Sequence, residues 1–112
     1  VYACPNAKFT WLMDEADKAA AREASARALG QALAEPFDLL VLDEACAALK
    51  SGILDEALLR RAVAFAKNGR EVVLTGRDPA PWLQDAADYS TEMRAHRHPY
   101  ADGVAAREGV EY

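Results

Sequence analysis

Two short polar clusters each close an apolar run, and they are where this sequence could do chemistry. Asp43-Glu44 follows Leu39-Leu40-Val41-Leu42, and Thr75-Gly76-Arg77 follows Val72-Val73-Leu74. A carboxylate pair at the tip of a buried strand is the Walker-B arrangement, in which hard oxygen ligands hold Mg²⁺ beside the phosphates of a nucleotide. The same dipeptide is also an ordinary strand end with an acidic loop, and taken alone it does not separate the two. Thr-Gly-Arg offers a hydroxyl, a backbone amide with no side chain in front of it, and a guanidinium that can grip a polyphosphate through two N–H bonds. Its bland counterpart is a glycine turn beside a solvated arginine. Phe9 and Trp11 flank Thr10, so in an extended segment they share one side. They either wall an apolar ligand pocket or belong to the core. His96 and His98 would also face one way, but they lack a third ligand and have Arg97 between them, so they read as surface histidines.

These groups need a scaffold to bring them together. Asp14 is placed to cap a helix over about 15–34, with Glu15 and Asp17 in the first turn where the helix dipole favours acids. Ala16, Ala20, Ala24, Ala28 and Ala32 form an i, i+4 ridge joined by Leu29 and Leu33, suited to close approach by a sheet or another helix. Pro36 ends that helix. The run 38–42 reads as a strand buried on both faces. After a short helical piece to Lys50, Asp55 caps a second long helix over 56–67, with Leu58, Leu59, Ala62, Val63 and Ala66 as its core face. Asn68-Gly69 stops it. Residues 71–75 form a second buried strand, Pro79 and Pro81 open a short helix, and a third, weaker strand is placed at Tyr89–Met93. Strands alternating with helices imply parallel crossovers in an α/β sheet. In such sheets ligands bind at the carboxyl ends of the strands, where both polar clusters fall.

Size and composition narrow the field. The 112 residues suit one domain, and scaling predicts roughly 6,000 Å² of folded surface for this mass. The hydrophobic share of 52% is diluted by 25 alanines, which bury little area each. With 13 Lys+Arg against 18 Asp+Glu the formal charge is -5, which argues against general binding to a nucleic-acid backbone. No apolar run reaches the ~20 residues needed to span a bilayer, and no signal peptide opens the chain. Cys4 and Cys46 form no C-x-x-C pair, so they fit reduced thiols in a cytoplasmic protein. The chain contains no G-x-x-x-x-G-K-[ST] loop to cradle phosphates. Because it opens on Val1 rather than Met, it is expected to be a fragment, a processed product or an expression piece.

In order and spacing, the motifs resemble one family. Phe9-Thr10-Trp11, Leu40-Val41-Leu42-Asp43-Glu44, Gly52-Ile53-Leu54-Asp55, Val73-Leu74-Thr75-Gly76-Arg77, Thr91-Glu92-Met93-Arg94, His98-Pro99-Tyr100 and Gly109-Val110-Glu111-Tyr112 are similar to those of the ATP:corrinoid adenosyltransferases. The resemblance covers nearly the whole chain. It implies a P-loop NTPase (RecA-like) parallel sheet with flanking helices, usually in a homodimer. The implied reaction transfers the 5′-deoxyadenosyl group of ATP to a Co(I) corrinoid with release of triphosphate, in cobalamin biosynthesis or salvage. It also implies that residues 1–112 are the carboxy-terminal two thirds of one domain, lacking the amino-terminal strand and phosphate loop. By position, Phe9 and Trp11 match the aromatics that close one axial face of the corrin and displace its lower ligand. Asp43 and Glu44 match the acidic pair at the Mg²⁺–ATP site, and Thr75, Gly76 and Arg77 match the strand-tip loop near the nucleotide. Lys8 stands where a Gly is common, Cys46 replaces a polar residue, and Ala95, Ala101 and Ala105 replace a Pro, an acid and a Lys. Two other readings stand beside this one. The first is a non-catalytic corrinoid- or subunit-binding module without a phosphate loop. The second is another P-loop enzyme such as a kinase, against which the aromatic motif and the Tyr112 tail argue.

Overall fold

A computed structural model of the chain describes residues 1–3 and 12–109. The first helix, α1 (Glu15–Ala34), has both ends where local chemistry puts them. The Asp14 carboxylate accepts the Asp17 N–H at 2.7 Å and the Asp17 carboxylate accepts the Asp14 N–H at 3.4 Å, a reciprocal capping box. Strand β1 (Leu39–Leu42) follows, then the short helix α2 (Ala45–Lys50) and the helix α3 (Glu56–Ala64). The last turn of α3 tightens into a 3₁₀ turn over Phe65–Asn68, and Gly69 takes the left-handed conformation that ends it. Strand β2 (Glu71–Leu74) lies parallel to β1, pairing Leu39 with Glu71 through Leu42 with Leu74. Helix α4 (Pro81–Ala86) and a 3₁₀ turn at Pro99–Asp102 complete the described elements.

The core lies where α1, α3 and α4 meet one face of this small sheet. Leu59 and Ala62 of α3 are fully buried, packed with Leu29, Leu40, Ala45, Cys46, Leu54 and Leu83. The predicted face of α3 is correct, with Leu58, Val63 and Ala66 half-buried around it. Asp55 joins two helices: its carboxylate accepts the Leu58 N–H at 3.0 Å, capping α3, and meets the Arg22 guanidinium of α1 at 2.9 Å. At the other end of the sheet Arg70 lies over the rings of Phe37 and Phe65, whose centroids are 5.5 Å apart.

Three expectations need correction. The strands are not buried on both faces: Leu39, Val41 and Val73 are 56%, 54% and 44% exposed, because no described element packs on their side of the sheet. The alanine ridge is only half used, with Ala24, Ala28 and Ala32 half-buried and Ala16 and Ala20 in solvent, since α3 reaches only part of α1. Tyr89–Met93 is not a strand; it is exposed and pairs with neither β1 nor β2. The total accessible surface is 8989 Å², well above the roughly 6,000 Å² expected of a monomer of this mass. The bare sheet face and the exposed tail beyond α4 contribute to the excess.

Candidate functional site

Parallel pairing brings the carboxyl ends of β1 and β2 to one end of the sheet. Asp43 and Thr75 stand one step beyond the last paired residues, Leu42 and Leu74, and continue the same register. Thus the two polar clusters meet. The Thr75 N–H donates to the Leu42 carbonyl at 3.1 Å. The Thr75 hydroxyl donates to Asp43 Oδ1 at 2.6 Å and accepts the Glu44 N–H at 2.9 Å. Behind it, the Cys46 amide of α2 donates to the Thr75 carbonyl at 3.2 Å.

The backbone here is forced into unusual shapes. Glu44 has φ 54° and ψ 23°, left-handed values that cost a non-glycine residue about 1–3 kcal/mol unless its surroundings hold it. The bond from its amide to Thr75 helps to hold it, so the chain turns from strand into α2 within two residues. Gly76 has φ 134°, and a Cβ there would stand 2.8 Å from Cys46 Cβ and 3.1 Å from the Cys46 nitrogen. A glycine is therefore required for β2 to pass α2 so closely. Asp78 is also left-handed, at φ 50°, and its carboxylate meets Lys50 Nζ at 2.7 Å. That hydrogen-bonded ion pair holds the Asp78 carboxyl below the usual carboxylate range and ties the loop after β2 to the end of α2. Beside it lies a cavity of ≈ 290 Å³ lined by Cys46, Leu49, Lys50, Asp78, Pro79, Ala80 and Pro81.

Asp43 and Glu44 are exposed, and among the described residues only one Asp43 oxygen is engaged by a side chain. Arg77 is exposed and forms no hydrogen bond or ion pair among the described residues. Cys46 is a buried free thiol; burial, and next the Glu44 carboxylate, raise its pKa. The described residues contain no group of three or more His, Cys, Asp or Glu side chains suited to a metal. The tip nevertheless fits Mg²⁺, which is commonly held by one or two carboxylates and completed by water and substrate phosphates. His96 and His98 are exposed, and His98 Nδ1 accepts the Tyr100 N–H at 3.2 Å, capping the last 3₁₀ turn. Phe9 and Trp11 lie outside the described residues.

The sequence reading missed three members of this neighbourhood. The Lys50–Asp78 pair joins residues 28 positions apart and leaves no local signal. In the sequence Cys46 stands out only as a departure in residue type, with no sign that Gly76 packs against it. The Thr75–Asp43 bond, across 32 positions, follows from strand register and could have been drawn once the two runs were aligned.

Comparison with known proteins places these motifs in context. A family model described as ATP:corrinoid adenosyltransferase BtuR/CobO/CobP matches residues 2–112. A corrinoid adenosyltransferase of Pseudomonas aeruginosa is 36% identical over 106 residues, covering 93% of this chain and 52% of that protein. One from a Sinorhizobium species is 36% identical over 110 residues, covering 93% of this chain and 50% of that protein. The chain therefore spans about half the length of the curated relatives it matches.

Proposed function

The chain belongs to the BtuR/CobO/CobP family of ATP:corrinoid adenosyltransferases, and on that footing we propose that the protein carrying it transfers the 5′-deoxyadenosyl group of ATP to a Co(I) corrinoid. The cobalt–carbon bond forms at C5′ as the C5′–O5′ bond breaks, and triphosphate leaves. The observation that carries this reading is the joined tip, where Asp43, Glu44, Thr75, Gly76 and Arg77 share the carboxyl end of a parallel sheet.

In this reading the sheet is part of a P-loop NTPase (RecA-like) domain to which residues 1–112 contribute one continuous portion. The phosphate loop comes from outside these residues, because they contain no G-x-x-x-x-G-K-[ST]. Glu44 and the uncommitted oxygen of Asp43 would hold Mg²⁺, which would supply positive charge against that building on the departing triphosphate. Gly76 keeps the loop after β2 packed against Cys46 and so holds the strand tip at the polyphosphate, to which Arg77 gives two N–H bonds. Phe9 and Trp11 form an apolar wall on one axial face of the corrin. Desolvation there disfavours a polar lower ligand and so eases formation of the Co(I) nucleophile. The protein works as a homodimer in the cytoplasm. Among the described residues no helix is long and apolar enough to cross a membrane.

Glu44→Gln in the whole protein tests the site. It should raise the Mg²⁺ concentration needed for ATP binding by about tenfold or more, while urea unfolding changes by less than about 0.5 kcal/mol, since Glu44 is exposed. An unaltered Mg²⁺ requirement would remove Glu44 from the site.

A further inference from the structure

We propose that Thr75 is a positioning residue and not a nucleotide ligand: its hydroxyl fixes the Asp43 carboxylate and the left-handed turn at Glu44, leaving the Glu44 carboxylate unengaged for the metal. This rests on the Mg²⁺–ATP reading of the tip. The argument is one of donors and acceptors. The Glu44 N–H can only donate, so at 2.9 Å the Thr75 oxygen must accept from it. The Asp43 carboxylate can only accept, so at 2.6 Å the Thr75 proton must point to Oδ1. A hydroxyl has one proton, and this one is spent. Thr75 can offer a phosphate oxygen nothing while the bond to Asp43 stands.

The two acids are therefore not equivalent. Asp43 is pinned through Oδ1 and keeps one oxygen free, whereas the Glu44 carboxylate forms no hydrogen bond among the described residues. Glu44 is instead fixed at its backbone, which stays at φ 54° with its amide satisfied by Thr75. One hydroxyl thus sets both members of the pair, and it does so across the strand junction, so the pair exists only when β1 and β2 are in register.

The test uses Thr75→Val, which keeps the shape and removes the hydroxyl, and Thr75→Ser, which keeps the hydroxyl. Three quantities are read in the whole protein: the Mg²⁺ concentration that half-saturates ATP binding, ATP binding without metal, and exchange of the Glu44 amide by NMR. Thr75→Val should raise the Mg²⁺ midpoint by about ten- to hundredfold, as loss of a group orienting a metal ligand does. It should speed exchange of the Glu44 amide by roughly fivefold to tenfold, the worth of one ordinary hydrogen bond. ATP binding without metal should stay unchanged, and Thr75→Ser should restore the other two values. Weakened metal-free ATP binding in Thr75→Val would show that Thr75 touches the nucleotide and would overturn the proposal. An unchanged Mg²⁺ midpoint, or failure of Thr75→Ser to restore it, would do the same. If Glu44→Gln also leaves the midpoint unchanged, the metal reading of the tip fails as well; if Glu44→Gln shifts it and Thr75→Val does not, only the positioning role is lost. If the Val variant does not fold, Thr75→Ala makes the same comparison.

Discussion

Replacing Gly76 with Ala asks how closely strand β2 must pass helix α2. The added Cβ would sit 2.8 Å from Cys46 Cβ, where carbon atoms normally stop at about 3.5–4.0 Å, so one of the two must give way by ~1 Å. The Cys46 nitrogen, at 3.1 Å, blocks the same movement, and it is backbone inside a helix. The overlap costs about 1–3 kcal/mol, as overpacking of a filled site does. Forcing an L-residue to φ 134° adds about 1–3 kcal/mol. The sum is about 2–6 kcal/mol, against net stabilities of about 5–15 kcal/mol for whole proteins. Urea unfolding of the whole protein measures it. Adding Cys46→Gly should recover part of the loss, because it removes the closer contact while leaving the nitrogen and the dihedral. A loss below about 0.5 kcal/mol, or a double mutant that is additive within about 0.5 kcal/mol, would refute the close-packing argument.

Asp55 provides a pH signature. The Leu58 N–H first, and then Arg22, hold its carboxyl below the unfolded value. Its contribution is therefore complete above about pH 3.9 and is lost as pH falls through the lower folded value. Asp55→Asn, which keeps a capping oxygen but loses the charge, should flatten the acid limb of a stability–pH curve measured by urea unfolding. Cys46, buried and with its pKa raised by burial and by Glu44, should react with iodoacetamide at pH 8 far more slowly than a free thiol and become reactive only on unfolding. Labelling of the folded protein as fast as glutathione would show that α2 opens readily.

Local signals carried most of the backbone. Helix α1 has the predicted start and stop because Asp14, Asp17 and Pro36 are written next to the turns they control. The strands and α3 followed from apolar runs and from Asp55 and Gly69 at the ends of α3 and its last turn. Coverage was not legible. Leu39, Val41 and Val73 look like buried strand residues because they are apolar, but burial depends on what lies across from them, which a run of five residues does not encode. Tyr89–Met93 failed for the opposite reason: its composition allows a strand, but no described strand pairs with it. At the site, residue types singled out two strand-end clusters, whereas the bonds that join them through the Thr75 hydroxyl emerge only from the paired geometry.

The constant offset of 32 between β1 and β2 has a consequence for folding fidelity. The two halves of the tip are synthesised far apart and meet only after the intervening crossover has formed. A slip of one residue would set Thr75 against Leu42 or Glu44 and turn every strand side chain to the opposite face. Such a molecule could still be compact and helical, and circular dichroism would count it as folded. It would lack the bond between Thr75 and Asp43, and its Glu44 amide would exchange freely. Protection of that single amide therefore measures the fraction of molecules that are correctly assembled, and a preparation can be graded by it before any substrate is added.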